Sequence, residues 1–283
     1  MAYKFRHALC NEVYEGWALN NTCRSLKKLG YQGIEIAHHT LAADPATISA
    51  ERRREYRDIM AGEGLYFVGL HWIMVSPEGL HTTTPDRELR ERSWRHIDTV
   101  IDLCGDLAGD RDDCGIVVFG SPKQRCTTGG LSRQEATKLF TEGLAGVAQH
   151  AMDRKVTVLA EALPHDQCDV LLSLDEAVEM VCQIDSPAIR TMFDVHNAVD
   201  ETEPHAEIVD RYFEYIRHVH VNETNGQHPG QGDYDFKSVL EVLARKNYQG
   251  WVSAEVFDFS PGAEVIAEQS IRYLESESEK LQL

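Results

Sequence analysis

The chain has 283 residues and carries 28 Lys and Arg against 46 Asp and Glu, a net charge of −18. A field of that sign repels nucleic acid and anionic membrane surfaces, while 42% hydrophobic and 26% charged residues are the balance of a globular chain able to bury a large core. Seven scattered cysteines, never spaced C-x-x-C, exclude a disulfide scaffold or a thiolate zinc site and fit a reducing cytoplasm.

In chain order, short β-branched or apolar runs alternate with helical stretches. Strands are predicted at Phe5–Leu9, Gly33–Ala37, Tyr66–His71 and Gly115–Gly120, then at Thr157–Glu161, Ile189–Asp194, Ile216–Val221 and Trp251–Val256. "SRQE" from Ser132 and "SLDE" from Ser173 read as capping boxes that open helices. "TEP" from Thr202 offers a cap and an early proline for another. "LGYQG" (Leu29 to Gly33) and "NYQG" (Asn247 to Gly250) each end a helix and feed a strand, a faint internal repeat. The start, "MAYKFRHALC", has no apolar signal region, and no run reaches the roughly 20 apolar residues of a membrane span.

Eight strands alternating with helices imply parallel pairing through right-handed crossovers. The expected fold is α/β, a single (β/α)8 barrel domain over residues 1–283. A doubly wound open sheet is the alternative, but no G-x-G-x-x-G follows the first strand.

Active sites of such barrels lie at the C-terminal ends of the strands. The fifth strand ends in Glu161, the sixth in Asp194, the seventh near His220, and the eighth carries Glu255. Three carboxylates converging there would repel one another at neutral pH unless a cation sat among them. An imidazole joining oxygen ligands suits Mn²⁺, Mg²⁺, Co²⁺ or Zn²⁺.

The motifs "GYQGIEI", "AEALP", "MFDVHNA", "HVHVNETNGQHPGQGDYDF" and "YQGWVSAEVF", in this order, resemble the xylose isomerase-like barrel superfamily of sugar isomerases and epimerases, nearest the ketose 3-epimerase type. The resemblance implies one divalent metal ion, Mn²⁺ first, held by Glu161, Asp194, His220 and Glu255. It also implies that Glu161 and Glu255 are the catalytic acid–base pair. They would abstract a proton beside a carbonyl and return it to the opposite face, through a metal-stabilised enediolate. The alternative in the same barrel is a lyase, either a keto-sugar or inosose dehydratase or a β-eliminating 3-keto-glycoside deglycosidase. The partners implied are a small sugar or glycoside substrate, with a homo-oligomer or a partner subunit as options for assembly. No nucleic acid or membrane partner is expected. Abasic-site endonucleases share the fold, but the acidic charge argues against that activity.

His71, Trp72, His196, Glu223 and His228 are the expected substrate contacts. His218 shares a face with His220 but lies one layer deeper, and is expected to be a core histidine or one that supports His220. Three positions depart from the ketose 3-epimerase pattern. Gly226 stands where an arginine is usual, Gln167 where a second glutamate is usual, and His196 comes one residue early in "DVHN". The metal and proton-transfer groups are therefore kept, and the groups that read the sugar are altered.

Overall fold

The structure, a computed structural model, describes residues 3–111 and 115–281. Its strands are β1 (Arg6–Cys10), β2 (Gly33–Ala37), β3 (Tyr66–His71), β4 (Gly115–Phe119), β5 (Val156–Ala160), β6 (Ile189–Asp194), β7 (Ile216–Val221) and β8 (Trp251–Ala254). Between and after them run α1 (Leu19–Leu29), α2 (Ala50–Gly62), α3 (Arg87–Ala108), α4 (Arg133–Asp153), α5 (Leu174–Ile184), α6 (His205–Tyr212), α7 (Phe236–Arg245) and α8 (Ala263–Glu279). Each strand pairs in parallel with the next, and β8 closes onto β1. The ring excludes the open doubly wound sheet.

Strands β2, β3, β6 and β7 have the bounds read from the sequence. The others shift by one or two residues at an end. The shift matters twice: Glu161 and Glu255 stand one residue beyond β5 and β8, where the chain leaves the ladder and turns over the mouth.

One of the two capping boxes forms in full; at α5 only the serine half does, the Glu176 carboxylate taking the Leu172 amide instead. Ser132 and Glu135 exchange side-chain-to-backbone hydrogen bonds at the start of α4, and Ser173 Oγ accepts from Glu176 N at α5. At α6 Thr202 does not cap. Pro204, extended at φ −55° and ψ 129°, occupies the cap position without a side-chain bond, because its ring offers no acceptor. The repeat seen in the sequence is real in the backbone. Gly30 and Asn247 both take positive φ, and the next residues, Tyr31 and Tyr248, donate their amides to Leu26 and Leu243, five residues back.

The core has two parts. Between barrel and helices lies a layer containing Leu26, Ile97, Phe140, Val209 and Leu243, all buried. Inside the barrel lies a smaller plug of Ala8, Val68, Ile116, Val118, Leu159, Met192 and Trp251. The plug fills the barrel's lower half, so any site must open at the strands' C-terminal ends. Among the described residues, no helix is long and apolar enough to cross a membrane. Cys10, Cys23, Cys104 and Cys168 are buried, but Cys126 is half-buried and Cys182 exposed; Cys114 lies outside the described residues.

Candidate active site

Strand alternation builds the site directly on the plug. Residues two apart share a face, so Leu159 is followed inward by Glu161, Met192 by Asp194, His218 by His220, and Trp251 by Ser253 and then Glu255. The register aligns them: Asp194 is level with His220, and His220 with Ser253. The apolar floor thus gives way within one layer to Glu161, Asp194, His220 and Glu255, none more than 5% exposed. One donor atom from each lies within 4.8 Å of the others.

His220 shows what this cluster lacks. Its Nε2 faces Glu35 of β2, at 3.1 and 3.3 Å from the two carboxylate oxygens. Its Nδ1 lies 3.1 Å from Glu255 Oε2 and 3.4 Å from Asp194 Oδ2, yet it is buried and makes no hydrogen bond. With Nε2–H given to Glu35, Nδ1 faces two carboxylates; burial lowers the imidazole, but Glu35 and Glu255 hold it well above its ordinary value, and a cation between them would take the place of the Nδ1 proton. Glu161 carries the same signature. Burial, and then the charges of Asp194 and Glu255, push its carboxyl up to about 8. Three buried carboxylates and one free imidazole nitrogen therefore fit a single divalent cation that takes oxygen and nitrogen donors.

Beneath the cluster, Glu35 is fully buried and gathers histidines. His218 Nε2 lies 2.9 Å from its Oε2, and His71 Nδ1 lies 3.5 Å from its Oε1. Burial alone would raise the Glu35 carboxyl, but His220 and His218 hold it well below the usual range. His71 turns its other nitrogen to Glu12, with Nε2 at 2.7 Å from Oε2.

Each glutamate of the pair is held by one neutral donor. Asn197 Nδ2 donates to Glu161 Oε1 at 3.0 Å, and the Trp72 indole donates to Glu255 Oε1 at 2.8 Å. Glu161 also lies against bare backbone. A Cβ on Gly120 would come within 2.1 Å of Glu161 Oε2, so only glycine leaves room for the carboxylate. Asp194 is steadied by the Asn197 amide at 2.9 Å and by Asn222, whose Nδ2 lies 3.5 Å from both its oxygens.

Above the cluster opens a cavity of about 390 Å³. Glu161 and Glu255 line it, while Asp194 and His220 lie below its wall. Of the expected substrate contacts, His71, Trp72 and His196 are on the lining, with Asn197, Gln167, Lys123 and Phe257. His196 donates Nδ1–H to the Thr224 carbonyl at 2.8 Å, which leaves the lone pair of the neutral ring on Nε2. Glu223 and His228 are not on the lining. Glu223 is buried, and its carboxylate accepts the amides of Gly230 at 2.8 Å and Tyr234 at 3.3 Å, folding the β7–α7 loop on itself. His228 is buried in the same loop, 2% exposed, with Nδ1 at 3.2 Å from the Pro229 carbonyl. Gly226 takes φ 80°, and a Cβ there would lie 3.3 Å from Phe257 Cβ.

Sequence reasoning missed Asn197 and Asn222. Asn197 follows His196 directly in "DVHN", and Asn222 sits two residues past His220. A carboxylate neighbour cannot be read from spacing alone, so neither carried a signal of its own.

The profile of the family described as xylose isomerase-like TIM barrel matches residues 23–277. Over 272 residues, 88% of this chain and 87% of the relative, the sequence is 22% identical to a probable ketose 3-epimerase of Synechocystis sp.. Over 144 residues it is 23% identical to an inosose dehydratase of Clostridium botulinum, covering 43% of this chain and 47% of that protein. A solved D-psicose 3-epimerase of Clostridium cellulolyticum H10, crystallised with D-tagatose, superposes with a TM-score of 0.84 at 17% identity, over 96% of this chain and 99% of that one.

Proposed function

The chain belongs to the xylose isomerase-like TIM barrel family, and from that premise we propose that it is a sugar isomerase or epimerase, working as one domain over residues 1–283, that moves a proton at the carbon beside a carbonyl. One observation carries this reading: Glu161 and Glu255 share the wall of one cavity, directly above Asp194 and His220. The relative named a probable ketose 3-epimerase supports a keto-sugar as the substrate.

Glu161, Asp194, His220 and Glu255 are the residues that would hold one divalent cation, Mn²⁺ first and Mg²⁺, Co²⁺ or Zn²⁺ as alternatives. A cation bound there would polarise the carbonyl and offset the negative charge that develops on its oxygen. The proton is then handled by the protein. One glutamate takes it from the carbon, leaving an enediolate. The other, as a carboxylic acid, returns one to the opposite face. Asn197 and Trp72 keep the two carboxylates in place without offering acidic protons of their own. His71, Trp72 and His196 stand where they would touch the sugar.

The test is solvent exchange. The cation-loaded protein in D₂O should introduce deuterium beside the carbonyl of a keto-sugar, and chelation should stop it. Absence of exchange across a panel of free and glycosidic keto-sugars would count against the reading.

A second reading has its own support. His196 lines the cavity with Nδ1–H engaged, so the protonated ring would present Nε2–H to a departing hydroxyl or alkoxide. Removal of the same proton would then end in elimination, and the partial match to an inosose dehydratase accords with that outcome. An unsaturated product, detected by its ultraviolet absorbance, separates the two.

A further inference from the structure

Trp72 carries two features that a barrel wall does not require. It is a bulky residue in the left-handed region, at φ 53°, where side chains other than glycine are disfavoured. It is also 40% exposed at the mouth, with its indole nitrogen turned back onto Glu255 Oε1 at 2.8 Å.

The turn is fixed on both flanks. Before it, His71 is fully buried and held by Glu12. After it, the carbonyl of Ile73 lies 3.0 Å from His38 Nε2 and 2.7 Å from His96 Nε2. Two imidazole donors on one carbonyl use both of its lone pairs, and they come from separate elements, the turn after β2 and helix α3. The residues on either side of Trp72 are therefore anchored, and its own carbonyl accepts the Val75 amide at 3.3 Å. A strained residue persists where the surroundings over-determine it, and such residues cluster at functional sites.

We propose that Trp72 is a positioning residue for Glu255. Its N–H pins Oε1, so Oε2 stays toward His220 Nδ1, 3.1 Å away, and the carboxylate meets the substrate in one orientation. An indole suits this task because it donates and never accepts. It orients the base without competing for the transferred proton. The arrangement mirrors Asn197 on Glu161. The inference rests on the reading of Glu255 as a proton-transfer group.

The experiment replaces the indole N–H and nothing else. Trp72 is exchanged for β-(3-benzothienyl)alanine, which keeps the bicyclic shape with sulfur in place of N–H, and Trp72→Phe serves as a second variant. The cation-loaded variants are expected to lose about 10- to 100-fold in kcat for solvent exchange, with KM within about twofold of the parent. An unchanged kcat, or a raised KM with kcat intact, overturns the proposal; the latter makes Trp72 a sugar-stacking surface only. A second readout needs no activity. The four tryptophans give four indole N–H proton resonances, of which Trp72→Phe identifies one. That resonance is expected to shift in Glu255→Gln, and its failure to move overturns the contact. If the parent exchanges no sugar, the function proposed above fails instead, and the indole resonance alone decides the Trp72–Glu255 contact.

Discussion

Glu35 reaches across the barrel from β2 to place a carboxylate 3.1 Å from His220 Nε2. The contact decides which face of the imidazole is free: Nε2 carries the hydrogen, and Nδ1 is left to Asp194 and Glu255. A carboxylate behind a ligand histidine fixes its tautomer and raises its basicity. Glu35→Gln is therefore expected to weaken Mn²⁺ binding by roughly 10- to 100-fold, measured by titration calorimetry. Affinity equal to the parent's would show that Glu35 only fills the barrel.

Gly120 makes a sharper case for the site's geometry. A methyl group there meets the free end of the Glu161 side chain and not backbone. Gly120→Ala is thus expected to move the carboxylate at little cost to the fold. Thermal stability should stay within about 1 kcal/mol, while kcat/KM falls at least about tenfold. Unchanged turnover, read in the same exchange assay, would mean that Glu161 is free to relocate.

Acid stability should follow two histidines outside the cation cluster. Burial lowers both His7 and His38 to about 4, with His96 adding to the effect at His38. Their native forms are neutral, while the unfolded chain takes up protons below about 6.5. The unfolded state then binds more protons, so stability falls as pH drops from about 6.5 to 4. Each residue contributes on the order of 2–3 kcal/mol across that window. Replacing His7 with Phe is expected to flatten the slope of unfolding free energy against pH in denaturant melts. A slope parallel to the parent's would place the titration elsewhere.

Much of this was legible in the sequence, for reasons that differ by residue. Short, near-continuous apolar or β-branched runs, set between helical stretches, located the strands because each must bury one face inside the barrel and the other under a helix. Glu161, Asp194, His220 and Glu255 could be singled out because each follows such a run at the same end. The partners of those residues could not. Trp72 meets Glu255 from 183 residues away, and Glu35 meets His220 from 185. Only closure of the ring brings them together. Gly226 looked like a lost donor. In the structure it is a left-handed turn whose carbonyl accepts the amides of Phe257 at 2.9 Å and Asp258 at 3.2 Å, so the space a side chain would take belongs to the Phe257 ring. Glu223 looked like a sugar contact and instead closes its own loop.

The central claim is that Glu161 and Glu255 move a proton beside a sugar carbonyl. Its most direct test is deuterium incorporation from D₂O into keto-sugars by the cation-loaded parent, Glu161→Gln and Glu255→Gln, read by proton NMR and mass spectrometry. The expected result is exchange by the parent that stops on chelation, and a loss of at least about 100-fold in each variant with the fold unchanged by circular dichroism. Near-parental exchange by either variant, or exchange that survives removal of the cation, would contradict it.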